Sequence, residues 1–384
     1  MTQTSRKGAA FRGKGAANEE VVPMRHFSVQ LSPDRKPKPE VSTLRFGKSF
    51  TDHMFLMDYD PERLWHDGRI VPYGPLSLEP AAMVFHYAQE VFEGLKAYRR
   101  PDGAIQLFRP MDNALRLRDS CVRMGIPPLE PELMVEAVKA LVEVEESWVP
   151  DAPGASLYLR PFIIAVDPAL GVHASRTYLF VIIACPVGAY YPNGLAPVRI
   201  YVEDEDVRAV RGGTGYAKCG GNYAASIRAG ERAQAVGYDQ VLWLDGVERK
   251  YIEEVGSMNV MFRIGGRVVT PKLTGSVLPG VTRRSCIRLL EDWGVPVEER
   301  LLPARELFDA AQSGELTEAW GTGTAAVISP VGELAWMGER WTTPRGDIGP
   351  LARRLYDTLT GIQWGTLPDP YGWTVPCASA SGML

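Results

Sequence analysis

The sequence is poor in cysteine and histidine and has no excess of basic residues. Its five cysteines are scattered without CxxC spacing, which argues against a disulfide framework or a zinc site and favours a reducing cytoplasm. The five histidines do not cluster either, so we expect no metal centre. The 42 basic and 46 acidic residues are mixed along the 384-residue chain, which argues against nucleic acid as a partner.

Long apolar segments are also absent. The longest unbroken apolar run extends from Tyr178 to Cys185, well short of the ~20 residues of a membrane helix, and predicts a buried strand. The first 18 residues contain basic residues and helix-interrupting glycines but no apolar signal core, so residues 1–40 are predicted to form a flexible arm. With 45% apolar and 23% charged residues, the remainder is expected to be a soluble, folded chain.

Helical and strand-like patterns alternate along the chain and predict two domains of the α/β (α+β) class. Residues 41–187 are assigned to a small N-terminal domain, residues 188–197, rich in Pro, Gly and Tyr, to an interdomain loop, and residues 198–384 to a larger C-terminal domain. Helices are predicted at 131–148 (with Met134, Val138, Leu141 and Val142 buried), 223–236, 283–293 and 350–361. Strands are predicted at 157–166, 178–185, 198–202, 240–244, 257–264, 268–270, 316–320 and 327–330.

One lysine lies in a segment of unusual composition. Lys218 lies within GGTGYAKCGGN (212–222), which contains five glycines and immediately precedes a predicted helix. Glycine lets the backbone approach a ligand closely, and a partly buried lysine whose pKa falls from ~10.4 can act as a Schiff-base nucleophile. The composition is also typical of a mobile surface loop, so both interpretations stay open at this point.

A second segment, LPGVTRR (278–284), opens the helix predicted from residue 283. Backbone N–H groups at a helix start, a glycine turn and the Thr282 hydroxyl favour an anion site, most often for phosphate. Arg283 and Arg284 oppose the helix dipole there, which is less unfavourable if an anion lies nearby. The alternative is that Thr282 simply caps the helix.

Two further segments carry candidate ligands. The turn GTGTAA (321–326) offers small residues and two hydroxyls that could complete a phosphate site, although ordinary hairpins use the same residues. In EEVGSMN (253–259) a carboxylate pair enters an apolar strand. A buried glutamate needs a cationic partner such as a protonated pyridine nitrogen, and the alternative is a pair of solvated charges at the strand end. No Walker loop and no GxGxxG opening a helix is found.

Together these segments form a set of groups that suits pyridoxal phosphate. From about residue 40 to the C-terminus, the sequence closely resembles the branched-chain amino acid aminotransferases of the class IV aminotransferase family. The resemblance implies fold type IV of the pyridoxal-phosphate enzymes, the D-amino acid aminotransferase-like fold. The segments that carry it are FGKSFTDHM (46–54), HYAQEVFEGLKAYR (86–99), LFRPMDNALRLRDS (107–120), SLYLRPF (156–162), PALGV (168–172), CPVGAYYP (185–192), GYAKCGGNYAAS (215–226), QVLWLDG (240–246), EEVGSMN (253–259), SVLPGVTRRS (276–285) and GTGTAAVISPV (321–331).

The resemblance implies a role for each matching residue on the cofactor side. Lys218 would bind pyridoxal 5′-phosphate covalently and move the proton between substrate and cofactor. Tyr223 would hydrogen-bond the ring O3′, and Glu254 would pair with the pyridine nitrogen. The remaining implied cofactor contacts are Arg116, Ser257, Leu278, Gly280, Val281, Thr282, Gly323 and Thr324.

The resemblance also implies an apolar cup that accepts a branched side chain in one half-reaction and glutamate in the other. Arg160 and the tyrosine hydroxyls would bind the γ-carboxylate, and the amide region of Ala325 would bind the α-carboxylate. A loop containing Leu170 and Val172 would reach across from the partner subunit of a homodimer. The other implied cup residues are Phe46, Tyr87, Tyr158 and Tyr190.

The implied reaction is reversible transfer of the amino group of L-leucine, L-isoleucine or L-valine to 2-oxoglutarate, giving L-glutamate and the branched 2-oxo acid. A D-amino acid aminotransferase and an aminodeoxychorismate lyase are alternatives on the same fold, and FGKSFTDHM and GAYYP argue against both. A non-enzymatic protein that kept the fold is a third alternative, and the intact Lys218, Glu254, Arg116 and Tyr223 argue against it.

The thiols depart from the pattern of the family. Its animal members carry a redox-sensitive CxxC where this chain has Ala326 and Ser329, so no thiol switch is expected. Cys219 directly follows Lys218, and the sequence leaves its reactivity open.

Overall fold

The fold is that of a computed structural model, which describes residues 27–188, 195–344 and 348–377. Among these residues the strands form two nine-stranded sheets. The elements of the first part are β1 (Ser28–Val29), β2 (His53–Asp60), β3 (Leu64–Pro72), α1 (Val84–Tyr87), β4 (Glu90–Phe92), β5 (Leu95–Arg99), β6 (Ile105–Phe108), α2 (Pro110–Met124), α3 (Pro131–Val144), β7 (Ser156–Ala165) and β8 (Tyr178–Val187), with short 3-10 turns at Val41–Thr43 and Glu146–Trp148.

The second part of the chain supplies the second sheet and the remaining helices. Its elements are β9 (Val198–Glu203), α4 (Gly220–Ala224), α5 (Ile227–Ala235), β10 (Gln240–Leu244), β11 (Ile252–Val255), β12 (Asn259–Ile264), β13 (Arg267–Pro271), α6 (Val281–Asp292), β14 (Val297–Arg300), α7 (Ala304–Ser313), β15 (Leu316–Gly323), β16 (Val327–Trp336), β17 (Glu339–Thr342), α8 (Pro350–Gln363) and β18 (Thr374–Pro376).

The first sheet has the strand order β1-β3-β2-β8-β7-β5-β6-β18, with β4 paired to β7. Helices α2 and α3 share a core with it. The four predicted apolar positions of α3 are all buried, as the three-and-four spacing requires. The helix ends at Val144 rather than at the predicted Trp148, because Glu145 leaves the helix and pairs with buried His53 of β2.

The second sheet has the order β11-β10-β9-β16-β15-β12-β13-β14, with β17 paired to β16. Helix α7 contributes to its core. The single helix predicted at 223–236 is in fact two helices, α4 and α5. At the break, the Ser226 hydroxyl donates to the Tyr223 carbonyl at 2.7 Å, a local bond that competes with a continuous helix. Helix α4 therefore begins only two residues after Lys218.

The predicted domain limits differ from the structure at both ends. Strand β18 pairs with β6, so residues 374–376 return to the first sheet instead of staying with residues 198–384. The predicted arm of residues 1–40 is too long, because Ser28 and Val29 pair with β3 and the Lys36 N–H donates to Asp52 at 2.9 Å. Residues 1–26, and residues 189–194 of the predicted interdomain loop, lie outside the described residues.

The two sheets are joined by a shared apolar core. It combines Tyr98 and Phe108 of the first sheet with Trp320 of the second, and α6 and α8 pack into it. The fold thus brings β4 and α2 close to the loops before α4 and α6, and β5 close to the turn after β15. Within the described ranges, no helix has the length and apolar character that crossing a membrane requires.

Candidate active site

Lys218 lies where the two parts of the chain meet. Its backbone N–H donates to Ser120 Oγ of α2, and its carbonyl accepts a hydrogen bond from the N–H of Phe92 in β4, both at 2.9 Å. The Lys218 Nζ donates to the Tyr223 hydroxyl at 2.7 Å. Nζ also lies 4.7 Å from the centre of the Phe92 ring. A half-buried amine is therefore held in place by both parts of the chain.

The glycine-rich loop around Lys218 is packed against its neighbours. Asn222 Nδ2 donates to the carbonyls of Thr214 and Ala217 at 2.8 and 2.9 Å, which closes the loop onto α4. Gly215 is required because a Cβ at that position would lie 2.2 Å from the Ser276 carbonyl oxygen. The interpretation as a mobile surface loop is therefore wrong, and the glycines serve close packing.

Glu254 is the second charged group near this lysine. It lies in β11 with 3% of its surface exposed, so the interpretation as a solvated strand-end charge is wrong. Its Oε1 accepts from the Leu278 N–H at 2.7 Å, and its Oε2 lies 3.2 Å from Arg208 Nε. Burial raises the pKa of Glu254, and the charges of Arg208, Lys218 and Arg116 oppose that rise. These four side chains therefore belong to one electrostatic cluster.

Arg116 extends from α2 toward the loop that precedes α6. Its Nε and Nη2 donate to the two oxygens of Glu93 at 2.7 and 3.0 Å, and Nη1 donates to the Pro279 carbonyl at 3.2 Å. Asn113 donates to the same carboxylate at 2.8 Å. Burial works to raise the pKa of Glu93, but the adjacent charge of Arg116 prevails and holds it below the ordinary value. Glu93 thus fixes the direction of the guanidinium.

The start of α6 differs from the prediction. The helix begins at Val281 instead of residue 283, and Gly280 is its N-cap residue. Thr282 therefore lies within the first turn, so the interpretation of Thr282 as the cap is wrong. Gly280 is needed because a Cβ there would lie 2.0 Å from Asn259 Oδ1. Asn259 also donates to the Leu278 carbonyl at 2.9 Å and so shapes the loop in front of the helix.

The two cations in the first turn of α6 each have an acidic partner. Arg283 Nη2 lies 2.7 Å from Glu299, and Arg284 Nη2 lies 2.9 Å from Asp112. The carboxylates of the protein thus supply the nearby negative charge, and the two arginines give no separate evidence for a bound anion. The first N–H groups of the helix still lack partners within the helix, as at any helix start.

The small-residue turn is shorter than predicted, because β15 continues through Gly323. The Ala325 carbonyl in this turn accepts a hydrogen bond from Lys96 Nζ of β5 at 2.8 Å. Burial lowers the pKa of Lys96 to about 8. The buried Thr322 Oγ1 has no hydrogen-bond partner in the part of the chain that the structure describes. Ser257, another predicted cofactor contact, is exposed between β11 and β12.

Three of the predicted substrate residues lie together with one that was not predicted. The rings of Phe46 and Tyr158 are 4.8 Å apart. Arg160 donates to the Tyr158 hydroxyl at 3.1 Å, and its guanidinium lies 4.9 Å from the centre of the Phe92 ring. The Phe92 ring is in turn 4.9 Å from that of Tyr223. We call Phe46, Phe92, Tyr158 and Arg160 the aromatic cup, which extends to Lys218.

Tyr87, Leu170 and Val172 form a separate group. The Tyr87 hydroxyl donates to the Leu170 carbonyl. The side chains of Leu170 and Val172 are 77% and 85% exposed. Within the described ranges, no hydrogen bond or ring contact of these three residues reaches the aromatic cup. Tyr190, the remaining predicted cup residue, lies outside the described residues.

No role was assigned from the sequence to four of the residues that organise this site: Phe92, Glu93, Lys96 and Arg208. Phe92 and Glu93 belong to the VFEG segment already singled out, where a carboxylate between apolar residues was an available signal. Lys96 lies in the same quoted segment (86–99), also as a charge between apolar residues, whereas Arg208 carried no comparable signal because its partner Glu254 lies far away in the sequence.

A lysine amine, a buried glutamate and a helix start facing an arginine are characteristic of a known family. The family model described as amino-transferase class IV matches residues 90–334, which include Lys218, Glu254 and the turn after β15. The chain belongs to the class IV aminotransferase family. The resemblance recognised in the sequence is thereby confirmed, together with the type IV fold that it implied.

Relatives within the family extend over most of the chain. It is 55% identical over 351 residues to branched-chain-amino-acid aminotransferase 2 of Bacillus subtilis, covering 91% of this chain and 97% of that protein. It is 57% identical to branched-chain-amino-acid transaminase 1 of the same organism, covering 88% and 96%. Among solved structures, the branched-chain amino acid aminotransferase of Escherichia coli matches with a TM-score of 0.68, 26% identity and coverage of 84% and 98%.

The thiols of this family member are expected to be unreactive in the folded state. All five cysteines are buried, and burial raises the pKa of Cys219 and of Cys121, the latter to about 12. Since the thiolate is the reactive form, iodoacetamide should cost less than about a tenth of the activity. Mass spectrometry should find five adducts only after unfolding. Rapid inactivation with alkylation of Cys219 would contradict this expectation.

Proposed function

We propose that this protein reversibly transfers the amino group of L-leucine, L-isoleucine or L-valine to 2-oxoglutarate, with pyridoxal 5′-phosphate as cofactor. The products are L-glutamate and the branched 2-oxo acid. Relatives that are 55% and 57% identical carry the name branched-chain aminotransferase or transaminase. The observation that carries the proposal is the Lys218 amine, held 2.7 Å from the Tyr223 hydroxyl at the inner end of the aromatic cup.

The residues present fit pyridoxal phosphate in charge and in donor type. The phosphate would accept from the first N–H groups of α6 at Val281 and Thr282, from Arg116 and from the Thr324 hydroxyl. The buried carboxylate of Glu254 suits a protonated pyridine nitrogen. Leu278, Gly280 and Gly323 shape the backbone around the ring and phosphate. When bound, the cofactor supplies a ring that accepts the electron pair of the substrate Cα.

The side chains of this protein would then move a proton at the substrate and place charges against the cofactor. Lys218 Nζ would hold the cofactor and would carry the proton to and from the substrate Cα. The Tyr223 hydroxyl, which accepts from Nζ, keeps the amine aligned. Glu254 would place a negative charge against the ring nitrogen, and the adjacent charge of Arg208 opposes the rise in the pKa of Glu254 that burial causes. Lys96 anchors the turn whose Ala325 amide would face the α-carboxylate.

The aromatic cup receives the part of the substrate that differs between the two half-reactions. Phe46, Phe92 and Tyr158 offer apolar surface to a branched side chain, and Arg160 offers a guanidinium to the γ-carboxylate of glutamate. One cup can serve both because the guanidinium stacks on the rings when no carboxylate is present.

The site is completed by a second copy of the chain. Leu170 and Val172 are exposed, and Tyr87 hydrogen-bonds the backbone of their loop. We assign this group to the cup of the partner in a homodimer, as the family resemblance implies. The scattered and buried cysteines fit an enzyme of the cytoplasm, and 2-oxo acids and amino acids are its only proposed small-molecule partners besides the cofactor.

A substrate screen tests the reaction. The purified protein, supplied with pyridoxal phosphate, should form glutamate from leucine and 2-oxoglutarate, and should be inactive toward D-alanine and aminodeoxychorismate. Activity confined to D-alanine or aminodeoxychorismate would replace the proposal by another reaction on the same fold. A colourless protein that takes up no cofactor would overturn it altogether.

The role of Arg160 can be tested by selectivity. Arg160→Gln should lower kcat/KM for glutamate about 10- to 100-fold, because a charged hydrogen bond to the γ-carboxylate is lost. The value for leucine should change by no more than about threefold, since its side chain only packs against the stacked guanidinium. Steady-state kinetics with both substrates decide the question. The exposed α8 residue Arg353 gives a matched control, and equal losses for both substrates would refute selective γ-carboxylate binding.

A further inference from the structure

Glu90 lies beside the aromatic cup and has no part in the proposed reaction. In the β4–β7 pair, Glu90 is opposite Ile164 and Phe92 is opposite Phe162. Because side chains alternate along a strand, Glu90, Phe92 and Arg160 project from the same face of this sheet. Glu90 is half-buried, and one of its oxygens accepts a hydrogen bond from the N–H of Gly220, two residues after Lys218.

Arg160 has no carboxylate in direct contact. None of the ion pairs formed within 4 Å by the described residues includes Arg160, and its Nε is buried without a hydrogen-bond partner. Its polar contact is the Tyr158 hydroxyl, and its guanidinium otherwise stacks on rings. A cation in this position is available to an incoming anion.

The charges of Glu90 and Arg160 nevertheless act on each other. Burial raises the pKa of Glu90, while the Gly220 N–H and the positive charge of Arg160 oppose the rise. One oxygen of the carboxylate is bonded to the backbone N–H of Gly220, and in this structure the carboxylate forms no ion pair with the guanidinium within 4 Å. Glu90 therefore lies close enough to act on the charge of Arg160 and leaves the guanidinium free to bind another carboxylate.

We propose that Glu90 sets the preference of the cup between its two substrates, acting through Arg160. This inference rests on the proposed function and on the γ-carboxylate role of Arg160. With a branched side chain in the cup, Glu90 and Arg160 sum to zero charge, which favours an apolar occupant. With glutamate, two carboxylates share one guanidinium, so Glu90 weakens γ-carboxylate binding. Glu90 is thus a specificity-determining residue that reaches the substrate only through its electric field.

Glu90→Gln separates this charge effect from a structural role. The amide oxygen of glutamine can still accept from the Gly220 N–H, so the loop that carries Lys218 keeps its support. The ratio of kcat/KM for glutamate to that for leucine should rise about fivefold, mostly through a lower KM for glutamate. A merely structural residue would change both substrates alike.

Binding of unreactive acids gives a readout that does not depend on turnover. Glutarate ends in a second carboxylate, and 4-methylpentanoate ends in a branched apolar group. The inhibition constant of glutarate should fall about fivefold in Glu90→Gln, and that of 4-methylpentanoate should stay the same. Glu248→Gln, which removes an exposed charge on the turn after β10, is the matched control and should leave both constants unchanged.

A double-mutant cycle distinguishes the possible failures. Arg160→Gln should lower the ratio of kcat/KM for glutamate to that for leucine. If adding Glu90→Gln to this variant does not change the ratio further, the result supports coupling between Glu90 and Arg160. Suppose that the wild type is active and that Arg160→Gln loses glutamate activity more than leucine activity. If Glu90→Gln then leaves the ratio of kcat/KM for glutamate to that for leucine unchanged, or lowers it, this inference is overturned and the proposed function stands. An inactive wild type would overturn the proposed function itself.

Discussion

Lys218→Ala is expected to abolish amino transfer, with kcat reduced more than about 1000-fold. In the proposed function the amine both binds the cofactor and carries the proton, and no other described lysine contacts Tyr223. Lys96, the other buried lysine discussed above, is committed to the Ala325 carbonyl and cannot replace it. Single-turnover measurements with leucine should show the loss directly.

Folding and cofactor binding should survive the substitution. The backbone of residue 218 keeps its hydrogen bonds to Ser120 and Phe92, and the phosphate contacts do not involve the lysine side chain. Thermal unfolding and the amount of cofactor retained after dialysis check this. Reduction with borohydride should attach cofactor to the wild type and not to Lys218→Ala. Lys272→Ala, at an exposed position, is the control, and retained turnover in Lys218→Ala would refute the assignment.

Glu254→Gln should lower turnover about 100- to 1000-fold, the loss typical of removing one preorganised electrostatic contact. A neutral amide cannot hold the proton on the ring nitrogen, so the proton transfer at the substrate Cα should slow most. Cofactor retention should fall much less, because the phosphate contacts proposed at α6 and Arg116 would remain. Single-turnover rates and dialysis of the loaded protein separate the two effects.

The neighbouring carboxylate provides a close control for this variant. Glu253 is also buried in β11, and burial raises its pKa, but it bonds to Ser276 and not to Leu278 or Arg208. Glu253→Gln keeps an oxygen for Ser276 and should retain most of the single-turnover rate. An unaltered rate in Glu254→Gln, or equal losses in both variants, would contradict the role of Glu254.

Local sequence patterns predicted some elements of this fold, such as α3, α8, β7 and β8, but not α2, α7 or the strands before β7. The buried face of α3 is predicted by apolar residues spaced three and four positions apart. Strand β8 is predicted by the continuous apolar run that begins at Tyr178. Predicted ends were less accurate where a distant residue intervenes. Glu145 leaves α3 for His53, and β18 joins β6 across most of the chain. A pattern read over a short stretch of sequence cannot predict a pairing with a distant residue.

The candidate site shows the same division. The sequence by itself determined the chemical groups, the fold family and the order of Lys218, Glu254 and the phosphate-binding segments, because these lie in short motifs. Only the tertiary structure decided their partners: Glu93 for Arg116, Arg208 for Glu254, Lys96 for Ala325 and Phe92 for Lys218. These contacts join residues that are close in space and distant in sequence. Burial then gives each contact its electrostatic strength, and burial is a property of the packed chain.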